Sequence, residues 1–142
     1  MMVRLAWLSL SMLSTGCYPI YKQLQRASTA TVVDDAGAEL EGAQVALISS
    51  TYPYGRERTR EIVATDAKGQ ARFEEKREWR MEALFIHGAE EFFWNWCIEK
   101  PGYQTVKTSW SNAGDFVEAL RVMLRPGEAT PCAPQLPEGA GR

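Results

Sequence analysis

Three cysteines, one histidine and a run of aromatic residues are what this 142-residue chain offers for chemistry. His87 stands alone, so a zinc site of two or three histidines is excluded, and no cysteine lies close enough in sequence to suggest a nucleophile and its base. It reads as a strand-end or loop residue. Asp34, Asp35 and Asp66 carry the oxygens that a Ca²⁺ ion prefers, but such an ion takes about six to eight ligands, and turn formation explains these aspartates more simply. No catalytic residue, metal or cofactor is therefore expected. The aromatic run remains: Phe92, Phe93, Trp94 and Trp96, with Trp79 and Trp110 elsewhere, are the residue types that stack on sugars or anchor protein interfaces. A strand alternates its side chains, so Phe93 falls on the face opposite Trp94 and Trp96. Tyr52 and Tyr54 lie in a loop broken by Pro53 and Gly55. Tyr52, Tyr54 and Phe93 are the candidate binding residues, and Trp94 and Trp96 are assigned to the core.

The elements that must hold these residues are strands. Two segments, Asp34-Asp35-Ala36-Gly37 and Asp66-Ala67-Lys68-Gly69, have the form Asp-x-x-Gly, in which Asp bonds its own backbone and Gly accepts a positive φ. Around them the chain alternates, as in Gln44-Val45-Ala46-Leu47, which means a sheet with one buried face. The pattern predicts strands near 28–33, 43–49, 58–65, 70–74, 80–86, 92–99, 103–110 and 116–125. Val45, Leu47, Phe73, Trp96, Leu120, Val122 and Leu124 form the expected core. Phe116, Leu120 and Leu124 are also spaced as on a helix, and that alternative stays open from spacing alone. Glu74 to Glu78 reads as a polar connection. The length suits one domain, and a net charge of −2 with interspersed signs offers no basic stripe, which argues against nucleic acid.

Residues 1–16 are not expected in the fold. Arg4 precedes the apolar run Leu5 to Leu13, which is too short for a bilayer span of about 20 helical residues, and small residues follow. Leu13-Ser14-Thr15-Gly16-Cys17 resembles a bacterial lipoprotein signal, which implies cleavage before Cys17 and lipidation of that cysteine. An ordinary secretory signal followed by a structural Cys17 is the competing reading. Tyr18, in place of Asp after the cysteine, implies outer-membrane sorting, with the chain facing the periplasm. Residues 17–27 are expected to be a tether of about a dozen residues at roughly 3.3 Å each, residues 28–126 the domain, and residues 127–142 a Pro- and Gly-rich mobile tail fixed only at Cys132.

The ordered pieces Asp-x-x-Gly, Leu40-Glu41-Gly42-Ala43-Gln44-Val45, Thr65-Asp66-Ala67-Lys68-Gly69 with Phe73, and Lys100-Pro101-Gly102-Tyr103 resemble carboxypeptidase regulatory-like domains. That resemblance covers roughly residues 28–125. It implies an all-β, Ig-like or transthyretin-like antiparallel sandwich of about seven to eight strands with a non-catalytic accessory role, and it favours a final strand over a helix at 116–125. The hydrolases of the transthyretin-like family depend on several histidines and a C-terminal tetrapeptide that this chain lacks. Two functions are expected. The first is a lipid-anchored envelope module that docks on a protein partner, and the second is a carbohydrate or cell-wall binding module that uses exposed aromatics.

With Cys17 lipidated, Cys97 and Cys132 form an even pair in an oxidising compartment. If Trp96 and Ile98 point inward, Cys97 points outward, where the tail can reach it. A disulfide is expected, and two unpaired thiols with Cys97 buried are the alternative. For Cys17 the expected outcome is loss of the lipid adduct and of membrane fractionation in Cys17→Ser, checked by intact mass and by partitioning. Retention of both would refute the anchor.

Overall fold

The computed structural model describes residues 17–52, 55–83 and 90–133. Nine strands run in order: β1 (Cys17–Gln25), β2 (Ser28–Val33), β3 (Gln44–Tyr52), β4 (Arg56–Ala64), β5 (Gln70–Phe73), β6 (Lys76–Ala83), β7 (Glu91–Glu99), β8 (Val106–Lys107) and β9 (Ala119–Met123). They form a four-stranded sheet in the order β4-β3-β7-β8, a three-stranded sheet in the order β5-β2-β9, and a two-stranded ribbon of β1 and β6. All pairings are antiparallel except that of β2 with β9, which is parallel. The protein is an all-β sandwich.

Alternation decides which side chains meet. Val45, Leu47 and Ser49 of β3 and Trp94, Trp96 and Ile98 of β7 point inward and are buried. They face Ala30 and Val32 of β2, Ala71 and Phe73 of β5, and Leu124. Trp96 is at the centre and wholly buried, its ring 5.4 Å from Phe73 and 5.5 Å from Phe116. Its indole N–H donates to the Val117 carbonyl at 3.1 Å, so the one polar atom of the side chain is satisfied. Of the seven expected core residues, Val45, Leu47, Phe73, Trp96 and Leu124 are buried, while Leu120 and Val122 are half-buried against the same cluster. β9 is an edge strand, and an edge shields its inward row less completely.

Both Asp-x-x-Gly segments are turns of the expected kind. Asp34 Oδ1 accepts from the amides of Ala36 and Ala38, and Asp66 Oδ1 from those of Lys68 and Gln70. These backbone bonds hold the Asp66 carboxyl below its ordinary range. Gly69 has φ +68°, and a Cβ there would sit 2.4 Å from the Val32 carbonyl oxygen, so position 69 requires glycine for both conformation and space.

Three expectations change. The helical alternative at 115–125 is not taken: residues 119–123 pair with β2, and only Ala113–Asp115 forms a short 3₁₀ turn. The strand expected at 103–110 shrinks to Val106–Lys107, because beyond it Thr108 Oγ1 accepts from the Trp96 amide and the Trp110 amide turns to the Asn95 side chain. The tether expected over 17–27 is instead β1, paired with β6, and β6 begins at Lys76 inside the polar connection expected at Glu74 to Glu78. Neither strand faces the main core along its whole length, so neither shows the apolar alternation that marks one. Pro19 is tolerated because β1 pairs on one side only, leaving an edge where a missing N–H is harmless. The base of the ribbon is pinned: the Leu24 carbonyl accepts from Ser49 Oγ at 3.2 Å and from Trp94 Nε1 at 2.9 Å, and Gln25 is buried with its amide donating to Glu61 and to the Glu74 carbonyl. Residues 84–86 of the strand expected at 80–86 lie outside the described residues.

Trp96→Ala is expected to lower unfolding free energy by roughly 3 to 5 kcal/mol, the range for removing a buried aromatic, as read from urea denaturation followed by circular dichroism.

Candidate functional site

The inward row of the four-stranded sheet belongs to the core, so its outward row is where binding chemistry can sit. Register places Ala46, Ile48, Ser50 and Tyr52 of β3 opposite Cys97, Asn95, Phe93 and Glu91 of β7. On the other side of β3, Ile62, Arg60 and Glu57 of β4 continue the same surface. Lys107 of β8 pairs with Cys97.

Across this surface runs the C-terminal segment. Cys97 and Cys132 are joined by a disulfide with Cα atoms 5.9 Å apart, as cysteine pairing and strand alternation predicted. Polar contacts lay the segment down on both sides of the bridge. Lys107 Nζ donates to the Pro131 carbonyl at 3.2 Å, Arg60 donates to the carbonyl of Cys132 at 2.6 Å, and the Cys132 amide donates to the Glu99 carboxylate. Thr105 Oγ1 both donates to the Thr130 carbonyl and accepts from the Thr130 amide. The mobile tail expected over 127–142 is thus a strap at least to Ala133, and residues 134–142 lie outside the described residues.

Beside the strap is an open groove of about 340 Å³. Ile48 and Phe93 form an apolar floor, Arg60 and Glu57 one wall, and Ser109 to Ser111 with Trp110 the other. An adjoining hollow of about 230 Å³ is lined by Tyr52, Phe93 and the residues Ser111 to Ala113. Of the candidate binding residues, Tyr52 and Phe93 therefore come together. Tyr52 is 57% exposed and Phe93 is half-buried, on the outward face as alternation required. Tyr54 and His87 lie outside the described residues.

The amide and guanidinium groups around the groove are engaged within the protein. Asn95 Oδ1 accepts from Thr108 Oγ1 and from the Trp110 amide, and its Nδ2 donates to the Trp110 carbonyl at 2.9 Å. That one carboxamide holds the wall in place. Asn112 Oδ1 accepts from the amides of Gly114 and Asp115, capping the 3₁₀ turn. Arg60 makes a paired contact with the Glu57 carboxylate, 2.8 Å from Nε and 2.7 Å from Nη2. The hydrogen bonds that Arg60 donates to the Glu57 carboxylate raise the guanidinium pKa against the opposing effect of burial, so the wall carries a fixed ion pair. Trp110 stands edge-on to Phe116 at 5.9 Å, which ties the wall to the core.

Trp110, Ile48, Arg60 and Lys107 were not picked out from sequence as groove residues. Ile48 sits on the outward side of a strand whose other residues there are small or polar, and that contrast was the available signal. Trp110 and Lys107 depend on where the β8 loop lands, which nearby sequence does not state.

Among the described residues no group of three or more His, Cys, Asp or Glu side chains is placed to hold a metal ion. The carboxylates of Asp34 and Asp66 are occupied by their own turns. Compared with models of known protein families, with curated proteins and with solved structures, the chain matches none.

Loop-closure entropy for a separation of 35 residues sets the expected effect of the bridge. Cys132→Ser should lose roughly 3 to 4 kcal/mol of stability. Wild-type protein melted in reductant should match the variant, whereas equal stability of oxidised and reduced wild type would show that the strap is held by its polar contacts alone.

Proposed function

We propose that this chain is a non-catalytic, lipid-anchored protein of a bacterial cell envelope, held at Cys17 and sorted to the periplasmic side of the outer membrane, whose sandwich docks on another envelope protein through the Tyr52–Phe93 groove. The resemblance to carboxypeptidase regulatory-like domains supports the accessory role, and the signal-like segment before Cys17 supports the anchor. No nucleic acid, metal or cofactor enters this reading.

One observation carries the choice of partner. A sugar site needs aromatic faces ringed by amide, carboxylate or guanidinium groups that are free to bond hydroxyls. Here Asn95, Asn112 and Arg60 are engaged by the protein itself, and what the groove presents is an apolar floor beside an exposed tyrosine. That is the composition of a protein hot spot: a hydrophobic centre with an aromatic at its margin and polar groups at the rim. The rim arginine is pre-ordered by Glu57, so binding would not have to order it.

The test is a photo-crosslinker placed at Tyr52 in the full chain in intact cells. A crosslink to one envelope protein, lost in Phe93→Asp while the variant melts as wild type does, is the expected result. With the partner in hand, Tyr52→Ala should weaken binding about 30-fold, the effect of removing a hot spot of roughly 2 kcal/mol. Binding of cell-wall glycan that Tyr52→Ala abolishes would overturn protein docking in favour of the carbohydrate reading.

A further inference from the structure

The ribbon of β1 and β6 has two unlike faces. Ile20, Lys22 and Leu24 point toward the sandwich together with Arg80 and Glu82. Apart from Tyr18 at its end, which is exposed, this inward face is packed on the sandwich. Lys22 pairs with Glu82 and also donates to the Glu90 carbonyl, and Lys22 Nζ and Arg80 Cζ each lie 5.6 Å from the centroid of the buried Phe92 ring. Glu90 is bracketed by Arg58 and Arg80, and Arg80 also pairs with Glu78.

The outward face is different. Register pairs Pro19 with Met81, Tyr21 with Trp79 and Gln23 with Arg77, so these residues share one side of the ribbon with Cys17. Trp79 is 72% exposed and Met81 66%, Tyr21 packs on Trp79 with ring centroids 5.3 Å apart, and Cys17 and Pro19 are exposed. The face is therefore a row of large apolar side chains, bounded at its far end by Gln23 and Arg77, and none of the described residues covers it.

What covers it follows from the position of Cys17. The expected tether would have let the domain hang tens of Å from its anchor, but there is no tether. Cys17 is the first residue of β1 and is already paired with Ala83. A lipid on Cys17 leaves no slack between bilayer and ribbon. Tyr21 lies four residues along the strand from Cys17, about 13 Å at roughly 3.3 Å per residue. The interfacial zone of one leaflet is only about 5 to 8 Å deep. An upright ribbon would lift Tyr21 and Trp79 out of that zone, whereas a flat one places Cys17, Met81, Tyr21 and Trp79 in it together. Tyrosine and tryptophan are the residues that favour this zone, because each ring has an apolar body and one polar atom.

We propose that the outward face of the β1–β6 ribbon lies flat in the bilayer interface, forming a second membrane contact beside the lipid on Cys17. This rests on the anchored reading above. The lipid holds the chain at the bilayer, and the flat ribbon fixes the orientation of the sandwich against it.

The experiment uses the purified mature chain reconstituted into phosphatidylglycerol and phosphatidylethanolamine vesicles whose acyl chains are brominated near the headgroup. Trp94 and Trp96 are buried and Trp110 is half-buried, so Trp79 is the indole that reports contact. The expected result is quenching of tryptophan emission by brominated lipid, lost in Trp79→Phe while Met81→Ser reduces it. Intact mass separates the two readings. No lipid adduct on Cys17 would remove the anchor and this proposal with it. A lipidated chain whose Trp79 stays unquenched would overturn the flat ribbon and leave the anchor standing. Protection of Trp79 through a crosslinked protein or a second copy, in place of lipid, would overturn it equally.

Discussion

Everything in this sandwich depends on the burial of the inward row of β7. Trp94, Trp96 and Ile98 fill the space between the sheets, and the neighbours of Trp96 come from otherwise unrelated places: Phe73 from β5, Phe116 from the loop before β9, and the Val117 carbonyl that accepts its N–H. The indole of Trp94 performs the same office for the ribbon by holding the Leu24 carbonyl. Two tryptophans thus attach three structures to one strand. Each does so by combining a large apolar surface with a single directional donor, which is what a core needs to be both well filled and uniquely arranged.

The other face of β7 then becomes available by default. Because Trp96 points in, Cys97 and Asn95 point out, and both are used to fasten irregular chain to the sheet: Cys97 the strap, Asn95 the Trp110 wall. The groove is the space left between these two fastenings. Its apolar floor and engaged rim are consequences of the same alternation that builds the core.

Much of this was legible in the sequence because period-two patterning and Asp-x-x-Gly turns are local signals. They placed β2 at its observed limits, brought β3 and β7 close to theirs, put Trp96 in the core, and turned Cys97 toward the tail. The unread parts are those where tertiary context overrides local pattern. Cys17 to Gln25 looks like a linker because Pro19 and a mixed polar composition carry no strand alternation, yet β6 supplies a partner and Leu24 a fixed base. Trp110 and Lys107 reach the groove through a loop whose path is set by Asn95 and Thr108, thirteen residues apart, and no spacing rule reports such a contact. The paired, charge-rich strand β6 was hidden for the same reason: a ribbon lying outside the core has no need of an apolar row facing it.

The parallel pairing of β2 with β9 bears on how the chain reaches this state. Ser28–Val33 is the first strand of the sandwich to be synthesised, and one of its two neighbours is the last, Ala119–Met123. A chain that emerges N-terminus first therefore holds an unpaired edge of its central strand until nearly all of it has appeared. Closure is governed by a contact of very long sequence separation, which makes folding slow compared with domains built from local contacts. Until that closure the three-stranded sheet lacks one of its edges, a kinetic property written into strand order rather than into any one residue.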